Sequence, residues 1–230
     1  MKKFWFDVVE KNGGIRTIGI AVRNNFVIGF AGRNTEKIME HIHELAEIGV
    51  PAPKNIPSLY TCSTSMLTQE PVIGDMGRES SGEVEFIIIR HQGQVFVGIG
   101  SDHTDRGMES YSVPKSKGVC EKPIGRTLWK YEDVKDHWDE LEMRSWQIME
   151  EGGEEKLYQD GTAEAILPLE KLVASVAGQV ADIEDSVIFS GTVPMVAGLA
   201  YGKHFRAEIY DRKLNRKLEL VYGIEILLNE

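Results

Sequence analysis

The chain has 230 residues, 42% of them hydrophobic and 27% charged, a composition that excludes disordered and collagen-like proteins and suffices for one sizeable core. Its 26 Lys and Arg face 36 Asp and Glu, giving a net charge of −10 and a pI near 5.2. That field repels nucleic acid and anionic membrane surfaces, and two cysteines, Cys62 and Cys120, without zinc or redox spacing read as reduced core thiols.

The opening Met1-Lys2-Lys3 lacks the apolar run of a signal peptide, because Asp7 and Glu10 interrupt it. No segment reaches the roughly eighteen apolar residues of a membrane span. The expectation is a cytoplasmic protein with no membrane partner.

Residues 3–9, 15–22 and 26–31 are short apolar runs separated by Asn12-Gly13-Gly14 and Asn24-Asn25, which predicts a small antiparallel sheet at the N-terminus. From Thr35 to Ile48, the residues Ile38, Ile42, Leu45 and Ile48 recur at helical spacing. Asn34 or Thr35 can cap this helix, and Gly49 with Pro51 can stop it. Pro51, Pro53 and Pro57 then predict an extended crossing to the main sheet. Strands follow at 59–67, and at 82–90 and 93–100 around His91-Gln92, before a long polar loop at 101–118.

Val134, Trp138, Leu141, Ile148 and Met149 predict a helix over 131–149. The eleven acidic residues between 131 and 160 predict that most of the net charge lies on one solvated helix face. A surface turn at Gly152-Gly153, a helix over about 168–177 and strands at 186–190, 204–210 and 216–228 complete the chain. Strand-rich stretches with a few separated helices describe an α+β fold on an antiparallel or mixed β-core. We take residues 1–230 as a single domain, with N-terminal hairpins and a helix over 1–57 and a β-rich core over 58–230.

Candidate chemistry begins at Glu83 and Glu85. Residues two apart on a strand share a face, so both carboxylates can converge on one ion, next to the apolar run Phe86-Ile87-Ile88-Ile89. The alternative is a wet strand end. Asp102, His103, Thr104, Asp105 and Arg106 follow another strand. With Glu83 and Glu85, Asp102 makes an oxygen-rich set suited to Mg²⁺, Mn²⁺ or Ca²⁺. Equally, Asp102 or Asp105 can cap a backbone and Arg106 can pair locally, or Glu83 and Glu85 can form ion pairs with Arg106 and Lys117 and hold no metal. His41 and Glu44 share a helix face and can act as a base with its orienting carboxylate, although an exposed pair would read the same. Lys115 and Lys117 can orient an anionic substrate. Ser190-Gly191-Thr192-Val193-Pro194 can offer backbone N–H groups and the Thr192 hydroxyl to a carboxylate, or be a plain turn.

In this order, a Gly-Arg-Asn turn, a helical His-x-x-Glu, a proline-rich segment, Glu-x-Glu, an Asp-x-Thr-x-Arg loop, a lysine segment and a Gly-Thr-x-Pro turn resemble the fumarylacetoacetate hydrolase superfamily, in a bacterial branch of it. The resemblance covers about residues 30–126 and 183–228. It implies a mixed β-sandwich or roll core. It also implies a divalent cation, usually Mg²⁺, on Glu83, Glu85 and Asp102, and a water-activating dyad of His41 and Glu44. Lys117 or Lys115 would then orient the substrate, with Arg106 and Thr192 as further substrate contacts. The implied activity is C–C hydrolysis, decarboxylation or hydration of a small anionic oxo-acid. The alternative is a non-catalytic dicarboxylate-binding module. The superfamily also implies a homodimer, as does apolar surplus on the late strands: Phe205, Ile209, Leu218, Leu220, Val221, Ile224, Ile226 and Leu227.

Overall fold

Gly13, at a φ of 84°, turns Lys2–Val9 back on Ile15–Val22, and the two strands pair antiparallel over their whole length. The hairpin does not stand apart. In the computed structural model, which describes residues 1–47 and 52–227 and omits the side chains of His41, Glu44 and Leu45, it forms one edge of an eight-stranded mixed sheet. The strand order is Ile15–Val22, Lys2–Val9, Thr127–Lys130, Gln94–Ser101, Val84–His91, Ser186–Thr192, Asn24–Gly29 and Ser58–Cys62. A second sheet of five strands runs Glu155–Thr162, Glu142–Ile148, His204–Asp211, Arg216–Ile226 and Val72–Asp75.

Val84, Phe86 and Ile88 point from the central strand into the core shared with the five-stranded sheet, where they meet Phe205, Ile209, Leu218 and Tyr222. Ile87 and Ile89 point the other way and join Phe4, Phe6, Ile20, Phe96 and Phe189 in a second core, which the curled large sheet encloses. The central strand is covered on both faces, as its unbroken apolar run requires. Each fully buried Ile or Phe contributes about 1.5–3 kcal/mol.

Asn34 caps the helix Thr35–Glu47 by accepting from the Lys37 N–H at 3.1 Å. Its expected last turn at Ile48, the stop at Gly49 and Pro51, and the His41/Glu44 side chains lie outside the described residues. The segment after this helix does not cross to another sheet, because Ser58–Cys62 pairs antiparallel with Asn24–Gly29 beside it.

The expected helix over 131–149 is replaced by a short helix, Tyr131–Val134, a 3₁₀ stretch to Glu140 and the strand Glu142–Ile148. Val134, Trp138 and Leu141 are buried as expected, but from consecutive turns. The strand hides its alternation because Ser145 and Gln147 face inward, while Trp146 faces outward under the Arg206 guanidinium, 3.7 Å from its ring. The acidic residues therefore do not share a helix face. Glu142 and Asp160 pair with Arg144 at 2.8 and 2.9 Å, and Glu155 pairs with Arg206 at 2.9 Å.

The polar stretch 101–118 is also structured, into Thr104–Asp105 and the helices Arg106–Glu109 and Val113–Val119. Of the late apolar residues, Phe205, Ile209, Leu218 and Leu220 line the chain's own core, leaving Val221 and Leu227 exposed. Cys62 and Cys120 are free thiols. Among the described residues, no helix is long and apolar enough to cross a membrane.

Candidate metal centre

A tight turn at Gln92-Gly93, both at positive φ, sets the register of the hairpin Val84–His91 and Gln94–Ser101. Val84 pairs with Ser101, and one step further out the Asp102 N–H donates to the Glu83 carbonyl at 3.2 Å. Glu83 and Asp102 are thus cross-strand neighbours, and Glu85 stands two residues along from Glu83 on the same face. One oxygen from each carboxylate lies within 4.8 Å of the others. Glu85 and Asp102 are buried, and Glu83 is half-buried.

The three acids have different surroundings. Glu83 accepts from Arg106 at 2.9 Å. That guanidinium also donates to Ser81 at 2.8 Å and to Glu109 at 2.9 Å, so its fork is occupied by protein. Asp102 receives Lys117 on Oδ2, while Lys122 Nζ lies 3.1 Å from Oδ1 at an angle unsuited to a hydrogen bond. Burial alone would raise the Asp102 carboxyl, but the two ammonium groups override it and hold it down at about 2. Lys117, for its part, is held protonated against burial by Asp102 and by Glu83, Glu109 and Glu85 behind it.

Among the described residues, Glu85 has no cation in contact. Its one hydrogen bond comes from the Gly191 N–H, at 2.9 Å to Oε2. Burial, then the charges of Asp102 and Glu83, push its carboxyl well above the ordinary value. Gly191 aims that N–H from a φ of 85°, and a Cβ there would lie 2.7 Å from the Ala31 Cβ. This strand end therefore requires glycine.

Glu85, buried with one backbone hydrogen bond and no cation in contact among the described residues, converges with Glu83 and with the Asp102 Oδ1 that lacks a hydrogen bond, and this set of oxygens fits a hard divalent cation. The residues present are thus compatible with Mg²⁺, Mn²⁺ or Ca²⁺.

The other anticipated residues fall in different places. Lys117 is buried on the inner side of its helix, whereas Lys115 is exposed. The Thr192 hydroxyl donates to the Val84 carbonyl at 2.6 Å and accepts from Gln159 at 2.8 Å, so the scaffold occupies it. Asp105 caps the following turn by accepting from the Met108 N–H at 2.8 Å.

Gln159 and Lys122 carried no signal in the sequence, whereas His103 belongs to the loop cluster that begins at Asp102. Gln159 spans the two sheets, accepting from the Val84 N–H at 2.9 Å and donating to the Val193 carbonyl at 2.8 Å. His103 is buried between the Tyr222 hydroxyl, 2.9 Å from Nδ1, and Ser80, 2.9 Å from Nε2. Lys122, wholly buried, sits on the parallel bridge to Leu67 that brings it under Asp102. A cavity of about 590 Å³ is lined by Ile42, Tyr60, Tyr111, Ser112 and Val113, and none of the three acids lines it. The Tyr60 phenol feels the charges of Lys117, Glu109 and Asp102.

The family described as "Protein of unknown function (DUF2848)" matches residues 28–222. No curated protein matches the chain in sequence. Among solved structures, the chain is similar to Cg1458, with a TM-score of 0.65 and 16% identity over 92% of this chain and 79% of that one. It is also similar to 2-keto-3-deoxy-D-arabinonate dehydratase complexed with magnesium and 2,5-dioxopentanoate, with a TM-score of 0.62 and 15% identity over 94% of this chain and 77% of that one. The likeness is one of fold, and that fold is the fumarylacetoacetate hydrolase type which the motif order implied.

Proposed function

Since this chain belongs to the DUF2848 family and has the fumarylacetoacetate hydrolase fold, we propose that it is a divalent-metal-dependent enzyme acting on a small oxo-carboxylate. The observation that carries this reading is the convergence of Glu83, Glu85 and Asp102 within 4.8 Å, with no cation in contact with Glu85 among the described residues. The magnesium and the dioxo-acid named with one neighbour support the metal and the substrate class. That neighbour's name also favours dehydration, a lyase reaction, over hydrolytic C–C cleavage and decarboxylation.

In this reading, Glu83, Glu85 and Asp102 hold the cation, which when bound polarises an oxo group and steadies enolate charge. The chain's own groups prepare the site. Lys117 and Lys122 keep Asp102 ionised, and the Gly191 N–H fixes Glu85. Arg106, held by Ser81 and Glu109, positions Glu83 instead of reaching for substrate. In this reading the helix Thr35–Glu47, whose Ile42 lines the neighbouring cavity, closes over the bound substrate and excludes water. His41 and Glu44, on that helix, are assigned the transfer of a proton or the activation of water. We further propose a homodimer, on the superfamily resemblance alone.

A titration with Mg²⁺ or Mn²⁺ at neutral pH, followed by thermal denaturation, tests the metal. A rise in Tm that EDTA reverses is expected, since only the folded chain assembles the site. A flat response to millimolar Mg²⁺ and Mn²⁺ would favour a second reading, supported by the Arg106–Glu83 and Lys117–Asp102 pairs, of a structural ion-pair network without metal. His41→Ala should lower turnover and leave metal affinity nearly unchanged. A binding module would show no turnover to lose.

A further inference from the structure

Two of the three converging carboxylates, Glu83 and Asp102, touch three cations between them. Arg106 lies 2.9 Å from Glu83, Lys117 is bonded to Asp102 Oδ2, and Lys122 lies 3.1 Å from Asp102 Oδ1. Both lysines and Arg106 are almost wholly removed from solvent, and Lys122 is completely so. Glu109 adds one negative charge at the rim, where it shares Arg106 with Glu83. Asp75 is the next buried carboxylate, and it is turned away onto His103, 3.3 Å from Nε2. With Glu83, Glu85 and Asp102 all ionised, as a bound cation requires, the protein's own charges in the immediate pocket sum to zero, or to one excess negative charge if Glu109 is counted.

A hard-cation site ordinarily offers several uncompensated carboxylates. Here a divalent ion would leave one or two positive charges in excess, in a buried setting where such an excess is costly. The imbalance disappears if the entering ligand brings one or two negative charges of its own. A carboxylate beside an oxo group that becomes an enolate does so, and oxalate imitates it.

Resting on the metal reading above, we propose that Lys122 is a positioning residue that makes cation binding conditional on an anionic chelating ligand, so that metal and dianionic oxo-acid bind as a coupled pair. Lys122 touches Asp102 and the His103 carbonyl, both parts of the protein, so it has no route to the substrate except through Asp102. Coupling between two ligands is reciprocal, so the oxo-acid should also bind weakly without metal.

The test is Mn²⁺ affinity by electron paramagnetic resonance or calorimetry, with and without oxalate, at matched free Mn²⁺. Oxalate should tighten Mn²⁺ binding to the wild-type protein by about tenfold or more. Lys122→Met, which keeps the buried volume and removes the charge, should bind Mn²⁺ alone more tightly than wild type and show a smaller oxalate effect. Equal Mn²⁺ affinity with and without oxalate in the wild-type protein would overturn the proposal, whatever the variant does, and leave the metal centre standing. Absence of Mn²⁺ binding in both conditions would overturn the metal centre together with it. A folded Lys122→Met protein with an undiminished oxalate effect would remove Lys122 from the coupling.

Discussion

Glu83 and Asp102 face each other across the open end of one β-hairpin, joined by a 3.2 Å hydrogen bond from the Asp102 N–H to the Glu83 carbonyl. Their carboxylates are held together by strand register and not by a flexible loop. Groups positioned by paired strands vary little in geometry, which suits a site that must present oxygens to an ion at fixed distances.

Asp102 is where the site and the stability of the fold meet. Its carboxyl, held down at about 2 against an ordinary value of 3.8, stabilises the fold above pH 3.8, and that contribution is lost as the pH falls through about 2. The shift corresponds to about 2 kcal/mol. Asp102→Asn should cost more, about 3–5 kcal/mol, because it leaves Lys117 and Lys122 buried without a counter-charge. Urea denaturation at neutral pH checks this, and a loss under 1 kcal/mol would mean that water reaches the two lysines.

Glu85 behaves in the opposite sense. Its raised carboxyl means that, in the metal-free protein, the contribution of Glu85 to stability is fully present below the ordinary value of 4.5 and is lost as the pH rises through the raised value. Glu85→Gln should therefore leave the metal-free protein as stable as wild type, or more so, at neutral pH. The same change should weaken Mn²⁺ binding by about a hundredfold or more, since a neutral amide replaces an anionic ligand. Melting curves and calorimetry on one preparation separate the two effects, and a destabilised variant with intact Mn²⁺ binding would refute both.

The proton on Glu85 must leave when a cation arrives. Mn²⁺ binding should release protons, and apparent affinity should climb with pH by up to about tenfold per unit until the raised value is passed, then level off. Calorimetry in two buffers of different ionisation enthalpy counts the protons directly. Equal heats in the two buffers at mildly acidic pH would show that Glu85 is already ionised.

Much of this arrangement is legible in the sequence, and its gaps have physical causes. Glu83 and Glu85 could be placed on one face because strand period is fixed. Asp102 could not be placed opposite Glu83 until the turn was known to lie at Gln92-Gly93, since a turn one residue earlier pairs Glu83 with Gly100. The strand Glu142–Ile148 was hidden because Ser145 and Gln147 are buried as hydrogen-bonding residues, Ser145 donating to Gln159 at 2.8 Å. Its neighbour Glu155–Thr162 was hidden by the register shift between Ser145 and Trp146. Lys122 reads as a surface lysine in any sequence window, and only the pairing of Lys122–Pro123 with Leu67–Thr68 turns it inward.

Gly191 links backbone conformation to chemistry more directly than any side chain in the site. At a φ of 85° it lies in a region that disfavours other residues, and among the described residues its N–H makes the one hydrogen bond to the Glu85 carboxylate. Gly191→Ala would add conformational strain and press its Cβ against that of Ala31, 2.7 Å away, for a total cost of about 1–3 kcal/mol. If the strand end shifts to relieve the contact, the N–H swings off Glu85 and the carboxylate loses its orientation. Mn²⁺ affinity should then fall by about tenfold even where the variant is fully folded, while Gly93→Ala, at a turn with open space around it, should cost stability alone. Circular dichroism to confirm folding and a Mn²⁺ titration on both variants make the comparison. Equal metal affinity in the two would show that Glu85 is held by its packing and not by the Gly191 N–H.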